Sequence, residues 1–217
     1  DVPEEYRHTE EECPLPEDEA VVGRHTLPVE SIDSIYLFGE TRINTKLLTF
    51  LGQRRIPLHV FNYFGHHSGT YLPHAEQLSG ELVIEQGLAQ RDEDRRLIIC
   101  RALAEAKIHN VLSVLGYYRR RMSALEEVEG KLRELLEQLP AARYWERVMG
   151  IEGMAARHYY SAWPQWLPFA GDSFIRVYNP PDNPVNAVLS FLNSLLYAAC
   201  VSELYRTALY PGISYLH

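Results

Sequence analysis

The stretch Ile35-Tyr-Leu-Phe-Gly-Glu-Thr-Arg-Ile-Asn-Thr-Lys-Leu-Leu-Thr-Phe-Leu-Gly-Gln-Arg-Arg-Ile-Pro-Leu-His-Val-Phe61 changes its hydrophobic period twice, and that change sets the architecture. Ile35-Tyr-Leu-Phe38 is β-branched and aromatic and reads as a strand; Pro57-Leu-His-Val-Phe61 reads as a second. Between them Asn44 to Gly52 predicts a helix, with Thr45 as its cap, Leu47, Leu48 and Leu51 as its apolar stripe and Gly52 at its end. Gly65 and Gly69 then punctuate a turn region up to Pro73. A strand, a helix and a strand are too few for an independent core, which implies further strands before Thr26 or a contribution from elsewhere.

After Pro73 the pattern is helical. Arg95 to Arg121 repeats Ile99, Leu103, Ala106, Val111, Leu112 and Leu115 near 3.6-residue spacing. Leu125 to Leu139 does the same before Pro140 stops it, and a further helix covers about Ala141 to Ala162. A proline-rich loop follows. Asn183 then caps, and Pro184 opens, a last helix that runs to about Ala208. The expected fold class is α+β: a small, mostly β N-terminal domain followed by a larger all-α domain. The expected boundaries are 1–25 for an acidic arm or linker, 26–74 for the β-rich part and 75–217 for the helical part.

The net charge of -8 is unevenly distributed. Residues 1–40 hold twelve Asp or Glu against Arg7 and Arg24, whereas the rest of the chain holds 19 basic and 17 acidic residues. Acidity therefore belongs to the first stretch and leaves nucleic acid open as a ligand, since that ligand responds to local patches. Cys13, Cys100 and Cys200 have no pairing motif, which fits a reducing, cytoplasmic setting; the last two read as core packing. The apolar run Val185 to Val201 is interrupted by Asn186, Ser190, Asn193 and Ser194, so no membrane span is expected.

Glu152 has unusual neighbours for a carboxylate. On a helix it shares a face with Met149, Ala155, Ala156 and Tyr159, and Gly150 and Gly153 flank it. Each Gly costs about 1 kcal/mol of helix propensity relative to Ala, which points to close approach of another group here. Two readings stand side by side: a carboxylate paired to a cation such as Arg157, or a metal ligand. His217 alone says little, but Glu with His suits Mn²⁺ or Mg²⁺. Arg119, Arg120 and Arg121 close a helix, where positive charge favours the macrodipole, and they are equally candidates for phosphate contact. Trp163, Trp166, Phe169 and Tyr178 either stack bases or anchor their loop. His66, His67 and His74 lack a carboxylate or Cys at ligand spacing, and His59 and His109 read as packing or capping residues.

Leu27 to Glu40, Asn44 to Leu48, Ile56 to Phe61 and Gly65 to Gly69, followed by Arg96-Leu97, Lys107 to Asn110, Gly150 to Gly153, Asn183 to Ser190 and Pro211 to His217, resemble in order the segments of the CRISPR-associated spacer-acquisition integrase, Cas one. The resemblance covers about Thr26 to His217. It implies a metal-dependent DNA integrase that joins the 3′ ends of a short foreign duplex to the ends of a repeat, with 26–74 as a dimerisation domain and 75–217 as a catalytic one. It implies Glu152 and His217 as catalytic metal ligands for Mn²⁺ or Mg²⁺, with the third, acidic ligand beyond residue 217. Arg119, Arg120, Arg121, Arg157 and Arg176 are the candidate DNA contacts.

The implied partners are double-stranded prespacer DNA, repeat DNA, a second copy of the chain and a dimer of a small ferredoxin-like protein, Cas two. Some family members are fused behind an iron-sulfur nuclease, and Cys13-Pro-Leu-Pro-Glu-Asp18 resembles the end of such a domain. Two other readings remain: a non-catalytic DNA-holding subunit of the same assembly, and a generic helical interaction domain with an acidic tail.

Overall fold

The computed structural model describes residues 28–73, 79–119, 122, 125–167, 171, 173–178 and 180–217. The acidic arm, Cys13, His74, Arg120, Arg121 and Phe169 lie outside the described residues. The chain divides into two units, Asp1–Asp33 and Ser34–His217. Of the first, residues 28–33 are described, and they hold one 3₁₀ turn, Val29–Ser31.

The second unit opens with a three-stranded sheet in the order β1 (Ile35–Phe38), β2 (Leu58–Phe61), β3 (His67–Tyr71). The pairing of β1 with β2 is parallel, with Ile35 opposite Leu58, and helix α1 (Thr45–Arg54) makes the crossover that such a pair requires. The cap lies one residue earlier than expected: Asn44, not Thr45, accepts the Leu47 amide at 2.9 Å. It also runs past Gly52, and Arg55 closes it in the left-handed region with φ 58°.

Strand β3 pairs antiparallel with β2, and Gly69 and Thr70 lie within it rather than in a turn. The tight turn is confined to 62–66, where the Asn62 carboxamide accepts the amides of Phe64 and His66.

Helices α2 (Gly80–Arg91), α3 (Glu93–Arg119), α4 (Leu125–Gln138), α5 (Trp145–Ser161) and α6 (Pro184–Arg206) follow. This sheet with its helices is an α+β fold, as expected from the pattern. Helix α2 and its separation from α3 at Asp92 are additions to that expectation. Helices α3, α4 and α5 pack on one another through a core that includes Ile108, Leu115, Leu125, Leu132, Val148 and Ile151, each at most 1% exposed. Burying one such side chain contributes roughly 1.5–3 kcal/mol. The stripe in α3 is Leu97, Cys100, Ala104, Ile108, Leu112 and Leu115, which is spaced three or four residues apart throughout.

One buried carboxylate of this core is held by two cations. Glu129, 5% exposed, receives Arg133 Nη2 at 2.6 Å on Oε1 and has Arg119 Nη1 3.1 Å from Oε2, so it ties the end of α3 to α4. Cys100 is buried as expected, but Cys200 is exposed, because it lies on a face of α6 away from the core.

By length and composition α6 could cross a membrane, contrary to the expectation drawn from its polar interruptions. Two of those polar residues are engaged within the fold, Asn186 Nδ2 donating to the Ile175 carbonyl at 2.9 Å and Ser190 Oγ accepting from Arg176 Nη2 at 3.0 Å, and further along α6 Ser202 pairs with His59. His59 is fully buried, with Nδ1 2.8 Å from Thr70 Oγ1 and Nε2 2.8 Å from Ser202 Oγ, so one imidazole links β2, β3 and α6.

Candidate active site

Helix α5 places Glu152 on the face that packs toward α3, one residue after Ile151, and the carboxylate is only 6% exposed. A buried carboxylate needs a partner, and the partner is Lys107 of α3, whose ammonium donates to Oε1. The paired-carboxylate reading therefore holds with a different cation from Arg157. Lys107 is itself half exposed, and burial of its remaining surface pushes its amine below the ordinary lysine range.

Lys107, Glu152, Gly153, Arg157, Arg176 and His217 all line one cavity of about 560 Å³. Chain segments from α3, α5, the 174–178 stretch and the end of the chain thus converge on one wall. A Cβ added at Gly150 or Gly153 would meet open space, so the two glycines are not required by packing within this chain. At Gly153 the bare backbone faces the cavity.

The basic residues expected to touch DNA fall into two groups. Arg157 is exposed and lines the cavity. Arg176 lines it too, but its Nη1 donates to the carbonyl of Val177 and to Asn186 Oδ1, and its Nη2 to Ser190 Oγ at 3.0 Å. It also stacks 4.3 Å from the centroid of the Tyr178 ring, so it holds the 174–178 stretch against α6. Arg119 is not on the cavity wall and is engaged by Glu129. Trp163 and Trp166 are buried among Tyr118, Tyr159, Tyr160 and Phe174, which is the anchoring arrangement, whereas Tyr178 is exposed at the cavity.

A carboxylate oxygen and an imidazole on one wall are donors suited to Mn²⁺ or Mg²⁺, so the residues present fit two ligands of such an ion. Among the described residues no three His, Cys, Asp or Glu side chains stand together as a ligand set.

Sequence reasoning missed Lys107 as the partner of Glu152, since the two lie 45 residues apart. A signal was present: Lys107 sits beside Ile108 and one turn from the buried Ala104, at the edge of the α3 apolar stripe.

The chain belongs to the CRISPR-associated protein Cas1 family, whose model matches residues 15–217. It is 39% identical over 191 residues to the CRISPR-associated endonuclease Cas1 of Haloferax volcanii, covering 88% of this chain and 58% of that protein. It is 40% identical over 196 residues to a CRISPR-associated endonuclease Cas1 of Moorella thermoacetica, covering 89% of this chain and again 58% of the relative. Among solved structures, a Cas1 protein from Thermotoga maritima superposes with a TM-score of 0.73 at 33% identity, covering 92% of this chain and 62% of that one. The chain thus spans less than two thirds of the length of these relatives.

Proposed function

We propose that this chain carries the catalytic wall of a metal-dependent DNA integrase of CRISPR adaptation, which inserts foreign DNA fragments as new spacers at the repeat by 3′-hydroxyl transesterification. The observation that supports it most directly is the convergence of Glu152 and His217 on one cavity together with Lys107 and Arg157, in a member of the Cas1 family. Acidic and imidazole donors would hold a divalent ion, and cations beside them would hold phosphate; that pairing suits phosphodiester chemistry.

Glu152 and His217 would be the metal ligands, Mn²⁺ or Mg²⁺ being the ions that this donor pair suits. What a bound ion supplies there is activation of the attacking 3′-hydroxyl and stabilisation of charge on the leaving oxygen. Arg157 and the Lys107 ammonium would orient the phosphate by charge-assisted hydrogen bonds. Arg176 and Tyr178 line the same cavity, with Arg176 acting through the bonds that hold its segment on α6. Arg119, Arg120 and Arg121 would be further phosphate contacts.

In this reading the β-rich part dimerises and the helical part, 75–217, carries the chemistry. Prespacer duplex and repeat DNA are the substrates, and a dimer of a small ferredoxin-like protein is the bridging partner. An iron-sulfur nuclease, fused or bound, and a cytoplasmic setting belong to the same reading.

The test is strand transfer of a short duplex with free 3′-hydroxyl ends into a repeat duplex, with Mn²⁺ and the ferredoxin-like partner present. Joined product with 3′-hydroxyl ends and none with 3′-dideoxy ends is the expected result. DNA binding without joining, with either end, would favour the non-catalytic holding subunit instead.

A further inference from the structure

After α6 the chain runs from Thr207 to His217 without a helix or strand, and its backbone is held from outside by side chains. The Tyr215 carbonyl accepts a hydrogen bond from Arg96 Nε at 2.7 Å and another from Cys100 Sγ at 3.1 Å. The Gln86 carboxamide engages both backbone groups of Tyr210: its Oε1 accepts the Tyr210 amide at 2.9 Å, and its Nε2 donates to the Tyr210 carbonyl at 3.4 Å. The Tyr215 hydroxyl closes the loop by donating to the Gln86 carbonyl at 3.2 Å.

We infer that Arg96 and Gln86 are positioning residues that hold His217 on the cavity wall beside Glu152. This rests on the reading of His217 as a metal ligand. The geometry singles out these two side chains for three reasons. Gln86 is 8% exposed, so its amide has no solvent to fall back on and bonds the chain end as a strand neighbour would.

The Arg96 guanidinium also stacks 3.8 Å from the centroid of Trp145, the first residue of α5. One planar fork therefore links the chain end to the helix that carries Glu152, an arrangement that an ammonium cannot reproduce. Finally, Leu216, between the anchored Tyr215 and His217, is buried at 8% exposure, so the anchor acts within two residues of the imidazole while His217 itself stays exposed at the cavity.

The experiment titrates the full chain with Mn²⁺, followed by electron paramagnetic resonance, for the parent and for Arg96→Met, Gln86→Glu and His217→Ala. In parallel, hydrogen–deuterium exchange of residues 210–217 is read in metal-free protein. Partners that orient a metal ligand typically account for about 10- to 100-fold in affinity, so Arg96→Met and Gln86→Glu should each weaken Mn²⁺ by at least about tenfold. Exchange of 210–217 should rise more than that of the α3–α5 core in the same variants.

If His217→Ala loses Mn²⁺ while both anchor variants bind as the parent does, the inference is overturned and the ligand reading stands. If His217→Ala binds Mn²⁺ like the parent, the ligand reading fails and takes this inference with it. Should Arg96→Met not fold, Gln86→Glu decides, because it keeps an acceptor for the Tyr210 amide and replaces the donor to the Tyr210 carbonyl with a second oxygen.

Discussion

The Lys107 ammonium donates to Glu152 Oε1 and joins α3 to α5 at the wall of the cavity that His217 also lines. The carboxylate is buried and the ammonium half exposed, so the two partners do not carry equal weight. Removing the cation strands a charge away from water, whereas removing the carboxylate leaves an amine that solvent still reaches.

Lys107→Met should therefore destabilise the protein by about 1–3 kcal/mol, below the ~3–5 kcal/mol of a fully buried pair because Lys107 is half exposed. The double variant Lys107→Met, Glu152→Gln should recover part of that loss. Urea midpoints of the three proteins check it, and a single variant as stable as the parent contradicts it.

Burial, and secondarily the nearby His67, hold the His59 imidazole below its ordinary value of 6.5. The unfolded chain then binds the proton more readily than the folded one between the folded value and 6.5. Stability contributed by neutral His59 is complete above that window and is lost as pH falls through it. The neighbours bear this sign: Thr70 and Ser202 are neutral hydroxyls, and Tyr36 packs against the ring. His59→Gln should flatten the pH dependence of the urea midpoint below pH 6.5. An unchanged slope contradicts this assignment.

How much of this was legible in the sequence varies by element. The start of α6 was readable, because Asn183 and Pro184 are a local signal and the Asn183 side chain does accept the Asn186 amide. Strand β3 was not, because Gly65, Ser68 and Gly69 carry turn chemistry, and only pairing with β2 makes 67–71 extended. Glu152 was readable as an unusual carboxylate from its small-residue face. Its partner, and the anchoring of the chain end by Gln86 and Arg96, depend on contacts made across 45, 124 and 119 residues, which no local pattern encodes.

Salt dependence separates the arginines. Arg157 is exposed at the cavity, so Arg157→Ala should weaken duplex binding and reduce the salt slope by about one, as loss of one phosphate contact does. Arg176 spends its guanidinium on Val177, Asn186 and Ser190, so Arg176→Ala should lower the thermal midpoint by several degrees. Binding titrations at several salt concentrations, with a melt of each variant, distinguish the two roles.

In the helical core, Leu132 is fully buried between α3, α4 and α5. Leu132→Ala should cost about 2–5 kcal/mol, read from urea unfolding, since the cavity adds to the lost transfer energy. A cost below about 1 kcal/mol would mean that these helices do not pack as described.

The most direct measurement is Mn²⁺-dependent joining of a 3′-hydroxyl duplex into a repeat duplex by the parent, by Glu152→Gln and by Arg133→Ala as a control away from the cavity. Joined product is expected from the parent and the control, and none from Glu152→Gln at equal folded protein. Joining by Glu152→Gln at the parental rate would contradict that expectation.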